Sequence, residues 1–163
     1  MNYSVVTLKR GKEESLKRFH PWIFSGAIAN MNSGIEEGDT VSVIASDGTP
    51  LGVGHYQIGS IAVRMLANPG TDIDKEFYGS RLAAAYGLRK ALGLSRPDNN
   101  AYRLVHGEGD FLPGLIVDVY GPTAVMQAHS PAMHYARDII ARSLVELPGA
   151  GIENVYYKSE TTL

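Results

Sequence analysis

The chain has no cysteine among its 163 residues. That excludes disulfides, thiolate metal sites and a cysteine nucleophile, and it suits a cytoplasmic location. An excess of either charge is missing too. The formal net charge is −2, so no overall basic field advertises a nucleic-acid partner. No run approaches the roughly 18 apolar residues of a membrane span, so no membrane partner is expected. The opening "MNYSVVTLKRGKEESLKRF" lacks the apolar centre of a secretory signal. Metal-binding histidine patterns are also absent: His20, His55, His106, His129 and His134 form no HxH, HExxH or helical i,i+4 pair.

What is present is the composition of an ordinary globular protein, 44% hydrophobic and 20% charged, sufficient for one domain or two small ones. Residues 1–70 read as short strands broken by turns. "YSVVTL" and "SIAVRML" are strand-like, "EESLKRF" is a helical turn or two, and Asp47-Gly48 separates two apolar runs as a hairpin turn does. Many short strands with glycine-rich corners imply a small barrel or closed sheet. Pro69-Gly70 marks a boundary, with Thr71 or Asp72 expected to cap the helix that follows. Ile73, Phe77, Ala84, Leu88 and Leu92 form its apolar stripe, leaving Lys75, Arg81 and Arg89 for a polar face. Then come three strand-like runs, "YRLVHG", "LIVDVYG" and "TAVMQAH". A second helix opens at Ser130-Pro131, with Met133, Ala136, Ile140 and Leu144 inward, and "IENVYYKS" begins a last strand. The fold class expected is mainly β followed by α+β, with domains at 1–70 and 71–163.

The stretch "GEGDFLPGLIVDVYG", Gly107 to Gly121, has the glycine spacing of a phosphate loop but not its chemistry. Leu115 and Ile116 stand where a lysine and a hydroxyl are needed, and Glu108 and Asp110 would repel phosphate. No dinucleotide fingerprint opens a helix there. Leu112-Pro113-Gly114-Leu115 instead fits a type II turn, which makes the stretch a hairpin. Glu108 with Asp110 is either an acid/base pair or a solvated loop. Asp118 is either on a solvated strand face or a carboxylate with a specific partner.

Residues 1–70 carry six basic and six acidic side chains, and five of the basic six fall within ten positions: Lys9, Arg10, Lys12, Lys17 and Arg18. Such clustering can form a phosphate-contacting patch, with Trp22 and Phe24 nearby to stack on bases. The alternative is a solvated helical turn over a core tryptophan.

"RFHPWIFSGAI", preceded by Leu8-Lys9-Arg10-Gly11-Lys12-Glu13, resembles the start of a bacterial family of SAM-dependent large-subunit ribosomal RNA methyltransferases that form 5-methylcytosine. "EEGDTVSVIASDGTPLGVGHY" is similar to part of that family's PUA domain, an RNA-binding pseudo-barrel. Arg103-Leu104-Val105, with Glu108, Asp110, Pro113-Gly114, Asp118 and Tyr120-Gly121, resembles its second signature, which lies in a small α+β linker domain. The segment Ser60–Arg64 departs from the family, being shorter and apolar. The resemblance implies RNA contacts by Lys9, Arg10, Lys12, Lys17, Arg18 and Trp22, with 23S ribosomal RNA as the partner and self-association left open. It also implies a methyl-transfer domain using S-adenosylmethionine. That domain's SAM loop and catalytic cysteine are not among these residues, and attack on cytosine needs such a thiolate. The chain is therefore expected to be the N-terminal recognition part of a larger enzyme, without cofactor or catalytic residues of its own and inactive alone. A complete non-catalytic RNA adaptor and a protein-interaction module are the other readings.

Overall fold

A computed structural model describes residues 3–159. The chain divides into two compact units, Met1–Asp72 and Ile73–Leu163.

In the first unit, strand β1 (Ser4–Leu8) leads to a short helix α1 (Glu14–Lys17). Strand β2 (Trp22–Phe24), a 3-10 turn (Ser25–Ala27) and β3 (Ile28–Met31) follow, then β4 (Thr40–Ile44), β5 (Pro50–Tyr56) and β6 (Ile61–Ala67). The sheet order is β2-β6-β5-β4-β1-β3, with only β1 and β4 parallel. Its two outermost strands, β2 and β3, are separated by three residues of chain. The sheet must therefore curl to bring its edge strands toward one another, which makes it the barrel-like body expected from the glycine-rich corners. Alternating residues turn inward: Val6, Leu8, Val41, Val43, Val63 and Ile23 form the core, and Leu16 of α1 packs on it. Asp47 shapes the β4–β5 turn by accepting the Thr49 N–H at 2.9 Å. Gly54 marks a close backbone approach, since a Cβ there would meet the Arg64 carbonyl oxygen at 2.6 Å. The two short strands β2 and β3 were not separable from sequence, since each is too brief to show alternation.

The second unit opens with helix α2 (Lys75–Ala91). Strand β7 (Ala101–His106), a 3-10 turn (Gly107–Asp110), β8 (Leu115–Tyr120) and β9 (Thr123–Ala128) follow. Helices α3 (Pro131–Tyr135) and α4 (Arg137–Val145) precede β10 (Asn154–Tyr157). The sheet order is β10-β9-β8-β7, antiparallel except for β9 with β10. Helix α2 packs on α4 and β7, and α4 on β9 and β10. Ser130 caps α3 with Pro131 at its first position, and Met133, Ile140 and Leu144 are buried. None of the helices among the described residues is long and apolar enough to cross a membrane.

Two expectations about α2 are corrected. Its cap is Asp74, which accepts the Phe77 N–H at 2.9 Å, rather than Thr71 or Asp72. Its buried face is Phe77, Tyr78, Leu82, Ala85, Tyr86 and Arg89, while Ala84, Leu88 and Leu92 are exposed. The inward face is rotated because a charged residue belongs to it: Arg89 finds a carboxylate and a carbonyl inside the unit.

The Leu112–Leu115 turn forms as its residues dictate. The Leu115 N–H donates to the Leu112 carbonyl at 3.0 Å, and Gly114 has φ +83°. A Cβ on Gly114 would lie 2.6 Å from Ser130 Oγ. Gly114→Ala combines left-handed strain with that clash, and is expected to cost roughly 1–3 kcal/mol, read as a lower urea midpoint.

Candidate nucleic-acid interface

The basic residues lie along the β1–α1 loop and α1, and all five are exposed. Lys9 is held at both ends: its N–H donates to the Ala27 carbonyl at 2.8 Å and its Nζ to the Gly26 carbonyl at 2.9 Å. That acceptor is a neutral carbonyl and supplies no counter-charge. Lys17 is paired with Glu14 at 2.7 Å, a hydrogen bond and charge that hold the ammonium pKa above its ordinary value. Arg10, Lys12 and Arg18 have no side-chain ion partner among the described residues. The two acids of the cluster offset little of this charge outward, since Glu14 faces Lys17 and Glu13 turns its Oε2 inward, buried.

Trp22 is half-buried at the sheet edge, so it is neither a core tryptophan nor a free platform. It meets His20 and Phe24 edge to face, with centroids 5.8 and 6.4 Å apart. Phe24 is 49% exposed. A cleft of about 330 Å³ runs between these elements, lined by Lys12 and Ser15 on one side and Trp22, Phe24, Gly26 and Ala27 on the other. Folding thus brings Lys12 and Trp22 to one cleft, with Lys9 bonded to the Gly26 carbonyl in its wall and Arg10 on the same loop. Lys17 and Arg18 stand on and just beyond α1. Phe19, which follows them, was not singled out from sequence. Its signal is a phenylalanine where a helix stops and glycine is the usual residue.

The second unit has a larger groove, about 660 Å³, between the start of α2 and the end of α4. It is lined by Asp74, Glu76 and Glu146, and its Lys75 is paired with Glu146 at 2.6 Å. Those carboxylates would repel phosphate.

The glycine stretch resolves into structural roles. Asp110 is buried and accepts from Arg89 through both oxygens, at 2.7 Å for Nη2 to Oδ2, and from the His106 N–H at 2.6 Å. Arg89 Nε donates to the Arg103 carbonyl at 2.9 Å. A carboxylate so committed is not half of an acid/base pair with Glu108. Asp118 accepts two bonds from Arg103, at 2.8 and 3.1 Å, so it has a specific partner and is not merely solvated. That pairing raises the arginine's pKa.

Residues 6–68 match the PUA-like domain family. Over 143 residues, 86% of this chain, the sequence is 38% identical to the ribosomal RNA large subunit methyltransferase I of Shewanella amazonensis. Over 144 residues, 87% of the chain, it is 37% identical to the protein of the same name from Escherichia coli. This chain is a homologue of ribosomal RNA large subunit methyltransferase I. It spans 36% of the length of each of these two methyltransferase I proteins. The fold agrees with the sequence. A candidate SAM-dependent methyltransferase from Streptococcus mutans, of known structure, superposes with a TM-score of 0.78 at 17% identity. That match covers 96% of this chain and 41% of the other.

Proposed function

We propose that this chain is the RNA-recognition and domain-positioning N-terminal portion of a SAM-dependent, cytosine-modifying ribosomal RNA methyltransferase of the cytoplasm, with 23S RNA as its partner. One observation carries the reading. On a PUA-like domain whose curated relatives are named ribosomal RNA methyltransferases, Lys12, Trp22 and Phe24 line one cleft, and Lys9 bonds the carbonyl of Gly26 in its wall. Arg10, Lys12 and Arg18 would contact phosphates, with Lys9 at the cleft and Lys17 adding field. Trp22 and Phe24 would contact sugars and bases. Folded RNA is gripped mainly through phosphate and shape, so this patch supplies affinity more than base identity.

The described residues do not fit S-adenosylmethionine. None of the three Gly-x-Gly stretches opens an α-helix: Gly52–Gly54 lies within β5, Gly107–Gly109 leads to a carboxylate locked onto Arg89, and Gly149–Gly151 leads to β10. The cofactor is therefore assigned to the rest of the parent enzyme, and no methyl-transfer step to this chain. Positioning of that enzyme's catalytic domain falls to the second unit. Its strand β10 is an edge strand, with β9 as its neighbour and no other strand beside it among the described residues.

The test is the salt dependence of binding to a 23S RNA fragment. Arg10→Ala with Lys12→Ala is expected to weaken binding and to flatten the log–log salt slope by roughly one unit per cation removed. A slope unchanged by the double substitution would remove the patch from the interface.

A further inference from the structure

We propose that Phe19 is a stacking platform for an unpaired nucleobase, so that the RNA taken at this cleft is single-stranded or looped out beside α1. The inference rests on the RNA-binding reading above and narrows its ligand. Helix α1 ends in a closure that needs a left-handed residue: the His20 N–H donates to the Ser15 carbonyl at 3.0 Å and the Phe19 N–H to the Leu16 carbonyl at 2.9 Å. Phe19 occupies that slot at φ +62°, where its Cβ is strained and glycine would not be. The residue is 93% exposed, and its ring meets no other aromatic ring among the described residues. The exposed ring gains nothing from folding while its left-handed backbone costs stability, and such strain points to a use outside the fold. Its setting indicates which use. Arg18, without an ion partner among the described residues, precedes it, and His20, Trp22 and Phe24 continue an aromatic tract after it. A duplex offers this ring only grooves and phosphates, whereas an unpaired base offers a face.

The experiment compares the chain with its Phe19→Gly and Phe19→Trp variants. One probe is a short single-stranded RNA carrying 2-aminopurine, and the other is the same strand annealed to its complement. Phe19→Gly is expected to raise the melting temperature of the first unit by about 4 °C. It should weaken single-strand binding by about fivefold or more while leaving duplex binding and the salt slope in place. Phe19→Trp should keep the affinity and quench the 2-aminopurine. Equal loss for both probes, or no loss, would overturn the Phe19 platform and leave the basic patch standing. Unchanged RNA binding with lost self-association in sedimentation would overturn it in favour of a protein contact. Failure of the unaltered chain to bind either probe would retire the RNA reading along with it.

Discussion

Replacing Asp110 by alanine is expected to destabilise the second unit by about 3–5 kcal/mol, among the largest effects of a single substitution in this chain. The side chain is 3% exposed and Arg89 is 10% exposed, so removing the carboxylate leaves a guanidinium buried without its counter-charge. The damage would spread, because the pair joins three elements. Arg89 belongs to α2, its Nε bonds the β7 backbone at Arg103, and Asp110 holds the His106 N–H at the end of the same strand. Losing the carboxylate loosens the helix from the hairpin and frees the turn. The measurement is amide hydrogen exchange in α2 and β7–β8 across a urea series, since the single tryptophan lies in the other unit. Pairing Arg89→Met with Asp110→Leu should recover most of the loss, because a buried ion pair replaced whole by apolar groups is often neutral. If the double variant is as unstable as Asp110→Ala, the loss comes from the backbone bond to His106 rather than from the orphaned charge.

The second large effect is a pH dependence in the first unit. His55 is buried on β5, its Nδ1 has no hydrogen-bond partner, and burial pushes its pKa from 6.5 down to about 4. Its neighbours across the sheet, Thr40 and Arg64, offer no carboxylate, and Arg64 turns to Gln57 instead. With the folded pKa depressed, the unfolded chain takes up the proton first. Stability is therefore whole above pH 6.5 and is lost as pH falls toward 4. Over that window the loss amounts to about 3 kcal/mol. Trp22 fluorescence reports this unit alone, and its urea midpoint is expected to fall between pH 7.5 and 5, above the range where most carboxylates titrate. His55→Leu should hold the midpoint nearly constant over the same interval. An equally steep fall in the variant would assign the acid sensitivity to groups other than His55.

Much of the fold was legible because its signals are local. Asp47-Gly48, Leu112-Pro113-Gly114 and Ser130-Pro131 each specify a turn or a cap through residues within a few positions of one another. What was not legible depends on partners distant in sequence. The inner face of α2 could not be chosen correctly without knowing that Arg89 meets Asp110, 21 residues on. Asp118 could not be told from a solvated carboxylate until strand pairing placed Arg103 opposite it. Of the interface, the cations and rings were visible as a cluster. Which were already engaged was not: Lys17 by Glu14, Lys9 by the Gly26 carbonyl. Phe19 escaped notice because its meaning lies in a backbone angle.

The strand order also governs when the cleft can exist. Strand β1 lies between β3 and β4, and among the described residues β2 has β6 as its only sheet neighbour, so Trp22 takes its place in the sheet by pairing with Arg64, 42 positions later. Such long-range closures are slow and demand the whole segment. During synthesis, α1 can close on its own local bonds, but β2 has no strand to pair with until β6 has left the ribosome. The cleft, walled on one side by Trp22 and Phe24 of β2, is therefore complete only when the last strand of its own domain is in place.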